Sequence, residues 1–286
     1  MTEVAVLMVL GSAVVHATWN LFAKRVGGGA TFIWLICCIN IVAYAPLAIW
    51  LYVSVRPVFG LPHLVMILGN GILHITYFLL LSRGYRVGDL SLVYPLARGT
   101  GPMLSTTAAI LFLGERPTPV ALAGAVLIGL GVFILTGDPR RFHESGASKA
   151  VLYALLTGMV IATYTLWDKY AVSVLLMSPL LYDWLCSIAR GVMLTPHALR
   201  HRDEIRVHWT KHRKEAIGVA ILSPLSYILV LTALAFSPVS YVAPMREISI
   251  LIGTALGARL LSEGDASRRL AAAGVMVAGV VALALG

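Results

Sequence analysis

Two arginines lie inside apolar stretches long enough to cross a membrane. Arg98 lies within residues 91–115 and Arg246 within residues 240–263, and a proline precedes each of them. A guanidinium stays charged, and burying it in hydrocarbon is costly, so an intramembrane arginine faces a cavity or a partner. The pattern predicts two proline-interrupted helices that present a pair of cations to a carboxylate, sulfonate or phosphate. Alternatively, each arginine pairs inside the protein or binds carbonyls that the prolines leave free.

A third arginine, Arg190, lies seven residues after Asp183 and therefore on nearly the same face of its helix. The first half of the chain has Asn40 at the related position, so the two halves differ here. We weigh two roles for Arg190 equally: substrate contact, or a structural ion pair with Glu247 or Asp168.

Titratable groups at membrane depth are candidates for moving protons. Glu247 is either a proton carrier or the counter-ion of a buried arginine. His16 and His74 titrate near neutral pH, and each is either a proton carrier or simply hydrogen-bonded to a neighbouring helix. The other carboxylates near membrane depth are Asp168 and Asp183.

Aromatic residues recur on the predicted helices and suit a planar or cationic group by stacking. Aromatic belts at both membrane interfaces are the alternative explanation. Asn20 and Thr165 are matched polar positions that bind either substrate or another helix. The aromatic candidates are Trp19, Tyr77, Tyr94, Tyr164, Trp167, Tyr227 and Tyr241.

The composition is that of an integral membrane protein. The chain is 59% hydrophobic and 12% charged, against about 25% charged in soluble domains. Ten apolar segments have spanning length, and a basic connection of loop size, residues 197–214, separates the seventh from the eighth. The segments are 4–22, 31–53, 62–82, 91–113, 119–136, 150–168, 174–196, 215–236, 240–261 and 268–285.

The chain contains an internal repeat. The sequence ATWNLFAK, residues 17–24, aligns with ATYTLWDK, residues 162–169, and Arg98 aligns with Arg246. Each repeat holds five spans, an odd number, so the second is inserted upside down relative to the first. Inverted repeats of this kind are typical of secondary transporters. We predict a first repeat at 1–137, a linker loop at 138–149 and a second repeat at 150–286.

Loop charges predict the orientation. The loops after the odd-numbered spans carry fifteen Lys and Arg residues, and those after the even-numbered spans carry three. Because positive loops stay in the cytoplasm, both termini are predicted outside. The net charge of +9 is therefore explained by topology rather than by nucleic acid.

The motifs HATWNLFAK, YPLARGTGP, LGE and APMRE resemble the EamA-type ten-helix branch of the drug/metabolite transporter superfamily. The resemblance covers essentially the whole chain. It implies a secondary carrier whose central cavity is lined by spans 1, 3, 4, 6, 8 and 9. Members of this branch usually have cytoplasmic termini, whereas the charge count here predicts the opposite.

These observations together predict an all-α polytopic protein of the inner membrane and not an enzyme. We expect alternating-access transport of an anionic or zwitterionic metabolite, such as an amino acid or organic acid, with export as the direction and protons as the candidate coupling ion. The alternative is a flippase that holds a lipid headgroup with the same arginines. We expect no cofactor and no metal, since Cys37, Cys38 and Cys186 lack ligand spacing. The sequence does not choose between a monomer and a dimer.

Overall fold

The fold is all-helical wherever it is described. The computed structural model describes residues 2–26, 29–87, 90–136, 147–253 and 266–286, without the side chains of residues 24, 90–92, 94–95, 135–136, 147 and 266–269. No strand occurs among these residues. The predicted all-α polytopic class is confirmed, and five helices in this part of the chain are each long and apolar enough to cross a bilayer.

The second half of the chain repeats the helix order of the first half, with one additional short helix and with one helix divided into two. The first half contains α1 (Glu3–Val26), α2 (Ala30–Val55), α3 (Leu61–Val87), α4 (Leu90–Phe112) and α5 (Pro119–Thr136). The second half contains α6 (Ala147–Ser173), α7 (Pro179–Arg200), α8 (Arg202–Lys211), α9 (Arg213–Phe236), α10 (Val239–Met245), α11 (248–253) and α12 (Ala266–Leu285). The five helices that are long and apolar enough to cross a bilayer are α1, α2, α3, α6 and α9.

Helix α8 is a difference from the sequence-based expectation of a loop. It buries none of its residues, and its few apolar side chains stand in a short, mainly polar sequence, so hydropathy gives no signal for it. It is tied to α2 by a hydrogen bond from Thr31 Oγ1 to Glu204 Oε2 at 2.9 Å. The helix before it, α7, begins at Pro179 rather than at the predicted residue 174.

The helix contacts repeat between the halves. α1 packs on α9 as its equivalent α6 packs on α3, whereas the equivalent helices α2 and α7 pack on each other, as do α5 and α12. A pseudo-two-fold relation between five-helix units produces this pattern, since each contact maps onto its equivalent in the other half.

Helices α5 and α12 approach so closely that their backbones touch. A Cβ added to Gly124 would lie 2.7 Å from the Gly279 carbonyl oxygen, and one added to Gly279 would lie 2.7 Å from that of Gly124. Both positions therefore require glycine, as small residues do in close membrane helix pairs.

The two arginine-bearing segments fold differently. The segment around Arg98 forms one unbroken helix, α4, despite its prolines. The segment around Arg246 is interrupted by a turn at Arg246 and Glu247, between α10 and α11. There the amides of Glu247 and Ser249 bond to carbonyls three residues earlier, Pro244 at 3.0 Å and Arg246 at 3.2 Å. The predicted interruption thus occurs in the second half and not in the first.

Helix α10 is fixed by a carboxylate from the other half of the chain. Glu115 Oε1 accepts from the Val239 amide at 2.7 Å, and Oε2 accepts from the Ser240 amide at 2.9 Å. Gly114, with φ +67°, lets the chain leave α4 in the direction that brings Glu115 there. The LGE motif therefore caps a helix across the repeat interface.

Candidate substrate-binding cavity

A cavity of about 400 Å³ lies between the two halves. Side chains of α1, α2, α3, α4, α6, α7 and α9 and of the turn after α10 line it. Its volume is in the range of small-molecule sites. Ten of the residues singled out from the sequence are in its wall: His16, Trp19, Asn20, His74, Tyr77, Arg98, Tyr164, Arg190, Tyr227 and Arg246.

The cavity extends toward one end of the helix bundle. Its wall includes Ala23 and Ala30, which flank the α1–α2 connection. At the opposite end Ala5 and Val9 of α1 are fully inaccessible, and every residue of α10 is buried. The end that carries the α1–α2 connection is therefore the end toward which this conformation opens.

Arg98 is held by an ion pair from the other half of the chain. Its Nε lies 3.0 Å from Glu247 Oε2, and the two side chains are 9% and 5% exposed. Arg98 also lines the cavity, whereas Glu247 lies outside the lining. The charge of Arg98 is thus compensated before any ligand enters.

Arg190 is also engaged within the protein. Its Nη2 donates to Ser187 Oγ at 2.8 Å and lies 3.5 Å from Asp183 Oδ1, and its Nη1 donates to Asn70 Oδ1 at 3.2 Å. Arginine can only donate, so the Asn70 atom that faces it must be the oxygen. The predicted partners Glu247 and Asp168 are not bonded to Arg190, since Asp183 takes that place.

Arg246 differs from both. Its guanidinium lines the cavity and has neither salt bridge nor hydrogen bond with the described residues. The indole Nε1 of Trp19, in the same cavity wall, is buried and likewise has no acceptor in that part of the chain. Buried donors are normally bonded, so Trp19 Nε1 is suited to an acceptor atom of a ligand, and the half-buried guanidinium of Arg246 is suited to an anionic one.

Aromatic rings form a connected group along one side of the cavity. His74 stacks on Tyr164 with ring centres 4.6 Å apart, and Tyr77 meets the same ring edge-on at 6.2 Å. His16 and Trp19 form a second edge-to-face pair at 4.7 Å. The rings give the cavity a rigid, largely apolar wall around its few polar groups.

A buried polar network adjoins the cavity behind Tyr227. Asp168 Oδ1 accepts from Asn70 Nδ2 at 2.8 Å and from the Tyr182 hydroxyl at 3.0 Å, and Oδ2 accepts from the Tyr227 hydroxyl. The first half has Ala23 at the position related to Asp168, and this asymmetry is the sequence signal for the site. Asn70 and Tyr182 have no such signal, because amides and tyrosines are common in membrane helices.

Three of the residues selected from the sequence are placed elsewhere or not described. Trp167 packs against α3, where its Nε1 donates to the Met66 carbonyl at 2.9 Å, and it is not in the cavity wall. Glu247 belongs to the Arg98 ion pair. The side chain of Tyr94 lies outside the described residues. No group of three or more metal-binding side chains occurs in the described ranges.

The fold and the sequence both have known counterparts. A solved structure titled "Crystal structure of protein" is similar, with a TM-score of 0.76, 14% identity and coverage of 100% of this chain and 98% of the other. At that identity the likeness shows the fold alone. A comparison with curated proteins found no match. The model of the EamA-like transporter family matches twice, over residues 3–137 and 148–285. The chain therefore belongs to the EamA-like transporter family.

Proposed function

We propose that this multi-pass membrane protein is a secondary carrier for a small anionic or zwitterionic metabolite, such as an amino acid or organic acid. It works by alternating access in the cytoplasmic membrane, in the direction of export and coupled to protons. Family membership supports transport of the drug/metabolite type. The finer statements rest on the cavity, and one observation carries them: the guanidinium of Arg246 has no partner among the described residues.

The charge balance of the cavity favours an anionic group at Arg246. The carboxylates of Glu247 and Asp183 are already paired with Arg98 and Arg190. A carboxylate bound at Arg246 forms charge-assisted hydrogen bonds and compensates the remaining cation of the three. Trp19 Nε1 supplies another donor in the same cavity. A permanent cation would gain none of these contacts and would be repelled by Arg246.

The orientation completes the proposal. If the basic loops are cytoplasmic, as the charge count predicts, the α1–α2 connection is cytoplasmic and both termini are outside. The cavity, which extends toward that connection, would then load substrate from the cytoplasm. Loading from the cytoplasm is the arrangement that export requires.

The proposal is tested by ligand-dependent thermal stabilisation of the purified protein. The probes are glutamate, succinate, phenylalanine, inorganic phosphate and tetraphenylphosphonium. A ligand at ten times its Kd stabilises the folded state by about 1.4 kcal/mol. We expect a carboxylate to stabilise the protein and Arg246→Ala to abolish that effect.

Arg206→Ala is the matched control, since it removes an exposed arginine of α8 that is not part of the cavity wall. It should retain the full ligand response. Stabilisation by tetraphenylphosphonium alone, or a carboxylate response that survives Arg246→Ala, would show that Arg246 does not select anions.

A further inference from the structure

We propose that Asp168 is the proton-binding group of this carrier, reached from the cavity through Tyr227 and His74. The inference rests on the proposed function, because it names the coupling site of the same transport cycle. It assigns proton binding to a residue other than Glu247, His16 or His74, the three candidates selected from the sequence.

Asp168 has no counter-ion among the described residues. Three buried carboxylates adjoin the cavity, and Glu247 and Asp183 each have an arginine within 4.0 Å. Asp168 is 1% exposed and has no such partner in the described part of the chain. Its three bonded groups, from Asn70, Tyr182 and Tyr227, are neutral donors.

Neutral donors satisfy the hydrogen-bonding capacity of a carboxylate without compensating its charge. A buried charge without a partner is costly, and a proton removes that charge at once. Glu247 lacks this property because Arg98 already compensates it. Among these three carboxylates, Asp168 therefore gains the most from protonation.

Asp168 is connected to the cavity through Tyr227 and His74. Tyr227 and His74 both line the cavity, and the Tyr227 hydroxyl oxygen lies 3.4 Å from His74 Nε2. The single hydroxyl proton of Tyr227 is used on Asp168, so its oxygen accepts from Asn70 Nδ2, at 3.0 Å, and from His74. His74 Nε2 must therefore carry a hydrogen in this arrangement.

This geometry defines a proton relay. The Tyr227 hydroxyl proton passes to Asp168 Oδ2 as the Tyr227 oxygen takes a proton from His74 Nε2, which is replenished from the water-accessible cavity. One O–H bond forms at Asp168, while the O–H bond of Tyr227 and the N–H bond of His74 are each broken and remade. The net change is one proton moved from the cavity to the carboxylate.

Asp168 lies between the two halves of the chain. Asp168 lies on α6, and its hydrogen bonds reach α7 and α9 of the second half and α3 of the first half. The charged and titratable groups that face it are Tyr164 on α6, Tyr182, Cys186 and Arg190 on α7, His74 on α3, Tyr227 on α9 and Arg246 after α10. Protonation of Asp168 changes bonds that hold the repeats together, which is how a proton can bias a rocking motion.

The test is infrared difference spectroscopy of the purified protein as pH is changed. A protonated carboxylic acid has a C=O stretch that an ionised carboxylate lacks. We expect a pH-dependent band that shifts when aspartate is labelled with ¹³C and disappears in Asp168→Asn. The isotope label identifies an aspartate without any substitution, so the test does not depend on how well the variant folds.

Three further variants separate this proposal from its alternatives. Glu247→Gln should keep the band, and Asp183→Asn should keep it as well. Tyr227→Phe, which retains the carboxylate but removes the relay, should slow hydrogen–deuterium exchange at Asp168. A band that is unchanged in Asp168→Asn, or that disappears in Asp183→Asn alone, would overturn the assignment.

The proton site and the substrate site fail independently in this design. Arg246→Ala should abolish stabilisation by carboxylate probes and leave the Asp168 band in place. If the band is present while no carboxylate stabilises the protein, the substrate proposal is wrong and the proton site stands. If carboxylates stabilise the protein and no aspartate band is found, the reverse holds.

Discussion

Arg98 and Arg246 occupy related positions in the two repeats, yet their surroundings differ. Arg98 lies on an unbroken helix and is paired with Glu247, which comes from the other half. Arg246 lies at the turn between two helices and has no partner in the described residues. Duplication supplied two cations, and the acidic residue beside one of them compensates the other. The first arginine therefore joins the repeats, and the second is the one that we propose binds a ligand.

The largest expected effect is on stability. Arg98→Ala leaves Glu247 buried without a counter-ion, and breaking such a pair costs about 3–5 kcal/mol. Arg246→Ala removes a side chain that has no partner among the described residues and should change the free energy of unfolding by less than about 0.5 kcal/mol. Thermal or denaturant unfolding of the two variants in detergent, without ligand, measures this difference. Equal losses of stability in both variants would remove the distinction between the two arginines.

The helical framework was accessible from the sequence because long apolar runs and the repeat are visible in it. The division of roles between Arg98 and Arg246 was not, since it depends on the side-chain direction of Glu247 across the repeat interface. Arg246 and Glu247 form the turn between α10 and α11, where no helical periodicity predicts that Glu247 faces Arg98 while Arg246 faces the cavity. Helix α8 was missed because a short polar helix has no hydropathy signal.

The candidate site, like the fold, could be predicted only in part from the sequence. Sequence reasoning selected most of the polar and aromatic residues of the cavity wall, because such residues at repeat-related positions stand out against an apolar background. It placed Trp167 there as well, although its indole packs against Gly69 of α3, where an added Cβ would lie 2.2 Å from the ring. The hydrogen bonds of Asp168 depend on helix rotation, which periodicity alone does not determine.

The second expected effect is on the affinity of the two arginine variants for a carboxylate. Arg246→Lys keeps the positive charge but loses the planar fork that binds a carboxylate through two parallel bonds. We expect the Kd of the carboxylate probe to rise about ten-fold, which corresponds to about 1.4 kcal/mol. Arg98→Lys is the matched variant and should change this Kd by less, because Arg98 is already occupied by Glu247. Titration calorimetry measures both, and a larger loss in Arg98→Lys would reverse the two roles.

The smallest effect concerns how the segment that carries Arg246 is fixed. Glu115→Gln retains one carbonyl oxygen but loses the charge and the second acceptor, so one of the Val239 and Ser240 amides loses its bond. Losing a helix cap typically costs about 1 kcal/mol, and we expect a loss of that size together with faster hydrogen exchange at these two amides. Glu3→Gln, at an exposed position in the first turn of α1, is the control and should alter neither quantity. Because α4 and the Arg98–Glu247 pair do not depend on this cap, exchange within α4 should stay unchanged. Faster exchange in α4 as well would mean that the two arginine segments are held as one unit, and that Arg246 is not positioned independently of Arg98.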